Sequence, residues 1–143
     1  MTIQLERRYR FSASHLYRRD EWSEEENRRR FGKCANLPGH GHNYRLFVRV
    51  QGAVDPQTGF LVDLPGLDRI VLERVVDVLD HQHINHAVAE FGPGGMIPSS
   101  ESLLLWIRPR VEAGLRELDD TVRLVGLRLE EDEDLAAEWR PGD

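Results

Sequence analysis

FGKCANLPGHGHNYRLFVRV, residues 31–50, holds the only cysteine of the chain, Cys34, and after five intervening residues the triplet His40-Gly41-His42. From Asn43 the residues alternate. Tyr44, Leu46, Val48 and Val50 oppose Arg45, Phe47, Arg49 and Gln51, the period-two pattern of a strand with one buried face. In an extended chain, side chains two residues apart point to the same side. His40 and His42 can therefore converge on one atom, and Gly41 leaves the approach open. Two imidazoles beside a thiol suit a metal ion flanked by a nucleophile or base.

Upstream, residues 3–11 alternate in the same way, with Ile3, Leu5, Tyr9 and Phe11 on one side and Arg7 as the exception. This first strand runs into Ser12-Ala13-Ser14-His15. If it pairs antiparallel with the strand after His42, its end lies beside the start of the next. His15 then joins His40 and His42 at one rim. Three neutral imidazoles with a fourth position open is the pattern of a catalytic zinc; the bland alternative is three surface histidines in loops. Cys34 likewise has two readings, a small buried residue or a base or nucleophile activated by a neighbouring metal or imidazole.

Downstream, Leu67, Val71, Val75 and Val78 recur at helical spacing. Asp63 stands where an N-cap would, and Pro65 suits the first turn. This helix decays at Asp80-His81, which is either ordinary C-terminal polarity or a proton-relay pair. A loop with Gly92-Pro93-Gly94-Gly95 follows. A second helix starts at Ser99-Ser100-Glu101 and carries Leu104, Ile107, Val111, Leu115 and Leu118, with a kink expected at Pro109. Residues 121–130 alternate again, Val125, Leu127 and Leu129 sharing a side. The acidic turn EEDED and a weaker strand over 135–139 close the chain. Residues 16–30 are polar and read as an exposed insertion holding one short helix. The order β-β-α-α-β-β predicts an α+β fold: a four-stranded, mostly antiparallel sheet with two helices on one face. Its edge strands invite pairing with another subunit.

The bulk numbers bound the rest. A chain of 143 residues makes a single domain over 1–143 the expectation. Its longest apolar run, Leu103–Ile107, is too short to span a bilayer. MTIQLERRYR lacks the apolar core of a signal peptide, and one unpaired thiol suits a reducing compartment, so a cytoplasmic location is expected. Of 19 basic residues only Lys33 is a lysine, and the arginines interleave with acids in a chain of net charge −6. That composition favours a solvated charged face over a nucleic-acid surface.

FSASH (11–15), FGKC with GHGHNY (31–44), LDHQHIN (79–85), PSSE (98–101) and LEEDED (129–134) resemble, in order and spacing, the signatures of the 6-pyruvoyl-tetrahydropterin synthase and 6-carboxytetrahydropterin synthase family. The resemblance spans about Ile3 to Trp139. It implies the tunnelling fold, assembly into trimers or hexamers with active sites between subunits, and Zn2+ held by His15, His40 and His42. It assigns Cys34 as the catalytic thiol and Asp80 and His81 as its proton relay. Glu130 would anchor the pterin, with Ser99, Ser100 and Glu101 beside it, although Glu130 read alone is only part of an acidic turn. The implied substrate is 7,8-dihydroneopterin triphosphate, a pterin triphosphate, with basic residues such as Lys33 holding the phosphates. The implied reaction is loss of triphosphate to give 6-pyruvoyl-tetrahydropterin, as in tetrahydrobiopterin biosynthesis. The five-residue spacer between Cys34 and His40 resembles this branch. The alternatives are the 6-carboxy product of queuosine biosynthesis, and a zinc- and pterin-binding oligomer without turnover.

Overall fold

The computed structural model describes residues 2–142. Its centre is an antiparallel ladder of β1 (Ile3–His15) and β2 (His40–Gly52), paired from Ile3 opposite Gly52 to His15 opposite His40. The alternation decides the faces: Tyr9, Phe11, Ala13, Tyr44, Leu46, Val48 and Val50 are all buried in one core. Between the two strands, α1 (Glu24–Phe31) occupies the polar insertion. Its first turn holds Glu24 to Glu26 and its last turn Arg28 to Arg30, each sign at the favourable end of the helix dipole. The EEENRRR run is thus a helix solvated along its length. Its one buried residue, Asn27, accepts the Arg19 backbone N–H at 2.8 Å and donates to the Arg19 carbonyl at 3.0 Å, folding the insertion back on itself.

α2 (Leu64–Val71) begins at Asp63, whose backbone takes the N-cap position. The Asp63 side chain makes no capping hydrogen bond, contrary to the expectation from sequence. The helix runs on through a π-helical turn (Leu72–Val76) and a last turn (Asp77–Leu79). The wider turn slips the apolar stripe: Val75, Val76 and Leu79 are buried, and Val78, expected in the stripe, is only partly so. The Arg7 exception is explained here too. Its guanidinium donates twice to the Asp68 carboxylate of α2 (3.1 and 3.0 Å), and the Tyr9 hydroxyl donates to the same group at 2.7 Å. The long helix α3 (Ser100–Leu118) is capped by Ser99, whose Oγ accepts the Ser102 N–H at 3.1 Å, and continues through Pro109.

The sheet has five strands, not four: β3 (Gln82–His83), β4 (Arg123–Glu130) and β5 (Ala136–Trp139) join the central pair in the order β3-β1-β2-β4-β5. β3 lies parallel to β1, and two residues carry no periodicity to read. A register shift between Arg49 and Val50 bulges β4 at Val125. Leu124 takes the buried place predicted for Val125, while Leu127 and Leu129 keep theirs. The glycine-rich loop is anchored at Phe91, which is buried, and by the Glu90 carboxylate, which accepts from Trp106 Nε1 at 3.1 Å. Among the described residues no helix is long and apolar enough to cross a membrane.

Candidate metal centre

The antiparallel register brings His15 directly opposite His40, with His42 opposite Ala13. All three imidazoles therefore lie on one side of the ladder end. Their ring centroids form a triangle with every edge 4.9 Å. His15 is wholly buried. Its Nδ1 meets the Tyr44 hydroxyl at 2.9 Å, while its Nε2, like Nε2 of His42, is buried without a hydrogen-bond partner. Burial first, then His42, His40 and His83, lower the His15 pKa to about 3, so the ring is neutral, the form that ligates. Just beyond His15, Asn85 pins the chain, accepting the Leu16 N–H at 2.9 Å and donating to its carbonyl at 2.8 Å.

Cys34 sits in a short 3-10 turn (Gly32–Ala35), its Sγ 3.8 Å from His40 Nε2. The spacer between them is shaped by Gly39 at φ 119°, where a Cβ would stand 2.3 Å from the His15 carbonyl oxygen. Only glycine fits that approach. Burial, then the Glu131 carboxylate, push the Cys34 thiol pKa up. A dication held by the imidazoles acts in the opposite sense.

Glu131 is the residue the sequence reading missed. It is buried, with Oε1 3.7 Å from His15 Nδ1 and 4.0 Å from His42 Nε2, and it accepts from the Tyr17 hydroxyl at 3.2 Å. Glu130 points to the other face of the sheet, where Arg45 and Arg128 lie 3.7 and 3.3 Å from its carboxylate. The structure does not bring Glu130 to the cluster. The signal was in the alternation: Glu131, not Glu130, shares the parity of Leu127 and Leu129.

Asp80 accepts the Ser12 backbone N–H at 2.9 Å, and its Oδ2 lies 3.0 Å from His81 Nδ1. The Ser12 bond, then His81, hold the Asp80 carboxyl below its usual range. His81 itself is at φ 59° with its side chain 82% exposed. Among the described residues no hydrogen bond or ion pair joins this pair to Cys34 within one chain. His81 does share an open pocket of about 630 Å³ with His42, Arg45 and Glu131. Of the serines, Ser99 spends its hydroxyl on the cap, whereas Ser100 is buried with Oγ unpartnered. Glu101 is exposed on the first turn of α3.

The donor set fits a divalent metal. His15, Cys34 and His40, and also His15, His42 and Glu131, bring ligand atoms within 4.8 Å of one another, and two buried ring nitrogens there have no hydrogen-bond partner among the described residues. Fold and cluster together define an α+β protein with a three-histidine metal-type site at the end of its central ladder. The family model described as 6-pyruvoyl tetrahydropterin synthase matches residues 4–142. The chain is 38% identical to the human 6-pyruvoyl tetrahydrobiopterin synthase over 104 residues, covering 73% of this chain and 70% of that protein. It is 36% identical to the Dictyostelium discoideum protein of the same name over 124 residues, 87% and 89% of the two chains. The solved 6-pyruvoyl tetrahydropterin synthase of Caenorhabditis elegans superposes with a TM-score of 0.84 at 28% identity, covering 99% of this chain and 97% of that one. The chain belongs to the 6-pyruvoyl tetrahydropterin synthase family, is an enzyme of that lyase type, and has its tunnelling fold.

Proposed function

We propose that the protein is a zinc-dependent lyase that converts 7,8-dihydroneopterin triphosphate to 6-pyruvoyl-tetrahydropterin and triphosphate. The observation that carries this reading is the imidazole triangle, with Nε2 of His15 and of His42 unsatisfied and the only thiol of the chain 3.8 Å from Nε2 of His40. When bound, zinc supplies a Lewis acid for the hydroxyls of the substrate side chain. His15, His40 and His42 hold it. Cys34 removes a proton from the side chain, and His81, oriented by Asp80, returns one. Glu131, already aimed into the cluster, accepts from the N–H edge of the pterin as a carboxylate pairs with a guanidinium. The family resemblance assigns this role to Glu130, beside Arg45 and Arg128 on the opposite face of the strand, so the two neighbouring carboxylates are the alternatives for it. Ser100 keeps a free hydroxyl for the ring. His81 is exposed and apart from Cys34 in one chain, which supports completion of the relay between copies in a homo-oligomer, a trimer or hexamer.

Zinc-loaded protein incubated with the substrate is expected to yield triphosphate and the 6-pyruvoyl product by mass spectrometry. A 6-carboxy product would place the chain in the other branch, and no triphosphate release would overturn both. Cys34→Ala is expected to keep zinc and pterin binding while turnover falls about 10²–10⁴-fold, the usual contribution of a positioned acid or base. Unchanged turnover would make Cys34 a packing residue.

A further inference from the structure

We infer that Tyr44 is a positioning residue for the metal centre: its hydroxyl holds Nδ1 of His15 and so fixes Nε2 as the atom that His15 presents to the metal. The inference rests on the metal reading of the cluster and adds a residue outside its ligand set.

Three observations carry it. Tyr44 follows His42 by two residues on the same strand and therefore faces the same side. Its Oη lies 2.9 Å from His15 Nδ1, and the opposite nitrogen of that ring is buried with no partner. The phenol cannot swing away, because Phe11, its register partner across the ladder, stacks on it at 4.9 Å and 13°.

Only one tautomer of His15 serves a metal at Nε2. A proton on Nε2 would block that atom, so the proton belongs on Nδ1, donated to the Tyr44 oxygen. The surroundings favour this choice, since the Glu131 carboxylate stands 3.7 Å from the same Nδ1. Partners of this kind, on the far nitrogen of a ligating histidine, set ring orientation and ligand basicity, and their loss commonly lowers metal affinity about 10–100-fold.

Tyr44→Phe keeps the ring and its stack and deletes only the hydroxyl. Competition of zinc against a chromogenic chelator is expected to show affinity reduced about 10–100-fold, with a shifted visible spectrum for the Co2+-substituted protein. Tyr9→Phe deletes another hydroxyl, one bound to Asp68 away from the cluster, and is expected to bind zinc as the unaltered protein does. Unaltered affinity and spectrum in Tyr44→Phe overturn the inference; failure of the unaltered protein to bind zinc overturns the metal reading itself. A measurement on the unaltered protein covers the case in which Tyr44→Phe does not fold. Long-range 1H–15N correlation of the zinc-loaded form is expected to show His15 protonated at Nδ1 and metal-bound at Nε2. Metal at Nδ1 overturns the inference.

Discussion

The β1–β2 ladder carries opposite contents at its middle and at its end. In the middle, Tyr9 faces Leu46 and Phe11 faces Tyr44, and all four are buried in the core. At the end, Ala13 faces His42 and His15 faces His40. Backbone pairing and side-chain direction are continuous across the two regions; only the chemistry changes. Among the described residues, the middle buries no side-chain nitrogen or oxygen without a hydrogen-bond partner. The end buries two imidazole nitrogens without partners, at a cost of about 1–3 kcal/mol each for groups so desolvated. A ladder therefore fixes direction and leaves purpose to the residue. The unsatisfied end is a place where the protein gives up stability for a ligand.

The largest test sets one residue of each region against the other. Leu46→Ala removes a side chain with no exposure in the core and is expected to cost about 2–5 kcal/mol in chemical denaturation. Zinc affinity of the folded fraction should hold. His42→Ala is expected to do the reverse: zinc binding is lost, and the metal-free protein keeps its stability to within about 1 kcal/mol, because relief of the buried, unpartnered nitrogen offsets the packing lost with the ring. If His42→Ala unfolds the metal-free protein as readily as Leu46→Ala does, the two regions are one core and the contrast is broken.

The next test sharpens the same contrast across β4. Glu131→Gln is expected to weaken pterin binding or turnover by about 10–100-fold, the loss of a hydrogen bond to a charged group of about 1.5–3 kcal/mol. Glu130→Gln, which touches only Arg45 and Arg128 on the other face, is expected to change either by less than about threefold. Kinetics of the two variants side by side decide between the neighbours, and a larger effect from Glu130→Gln would return the anchoring role to that residue.

What the sequence could say follows from how far each signal reached. Alternation placed β1 and β2, and antiparallel pairing placed His15 beside His40, because period and register are local properties. Periodicity gave the α2 and α3 stripes but not the π-helical turn at Leu72–Val76, which shifts the stripe by packing that no repeat encodes. β3 was too short to show. The parity of β4, shared with Leu127 and Leu129, places Glu131 at the cluster, whereas the anchoring role of Glu130 rests on the resemblance alone. The Asp80–His81 pair was visible as a pair, yet its separation from Cys34 depends on where the end of α2 meets Ser12, a long-range fact.

The smallest test lies beside the middle of the ladder, where a polar group is fully partnered. Asp68 accepts from Arg7 and from Tyr9, and these bonds, Arg7 first, hold its carboxyl below the usual value. A carboxylate with a depressed folded pKa stabilises the protein at every pH above its unfolded value, and loses that contribution as pH falls through the folded one. Acid titration of stability should therefore show a loss below the ordinary carboxylate range. Tyr9→Phe should lower stability at neutral pH by about 0.5–1.5 kcal/mol, the net worth of one hydrogen bond, and make the acid loss shallower, since one source of the depression is gone. The metal centre should not respond. If zinc affinity falls in Tyr9→Phe as it does in Tyr44→Phe, the hydroxyls act through the core as a whole, and the division between the middle of the ladder and its end does not hold.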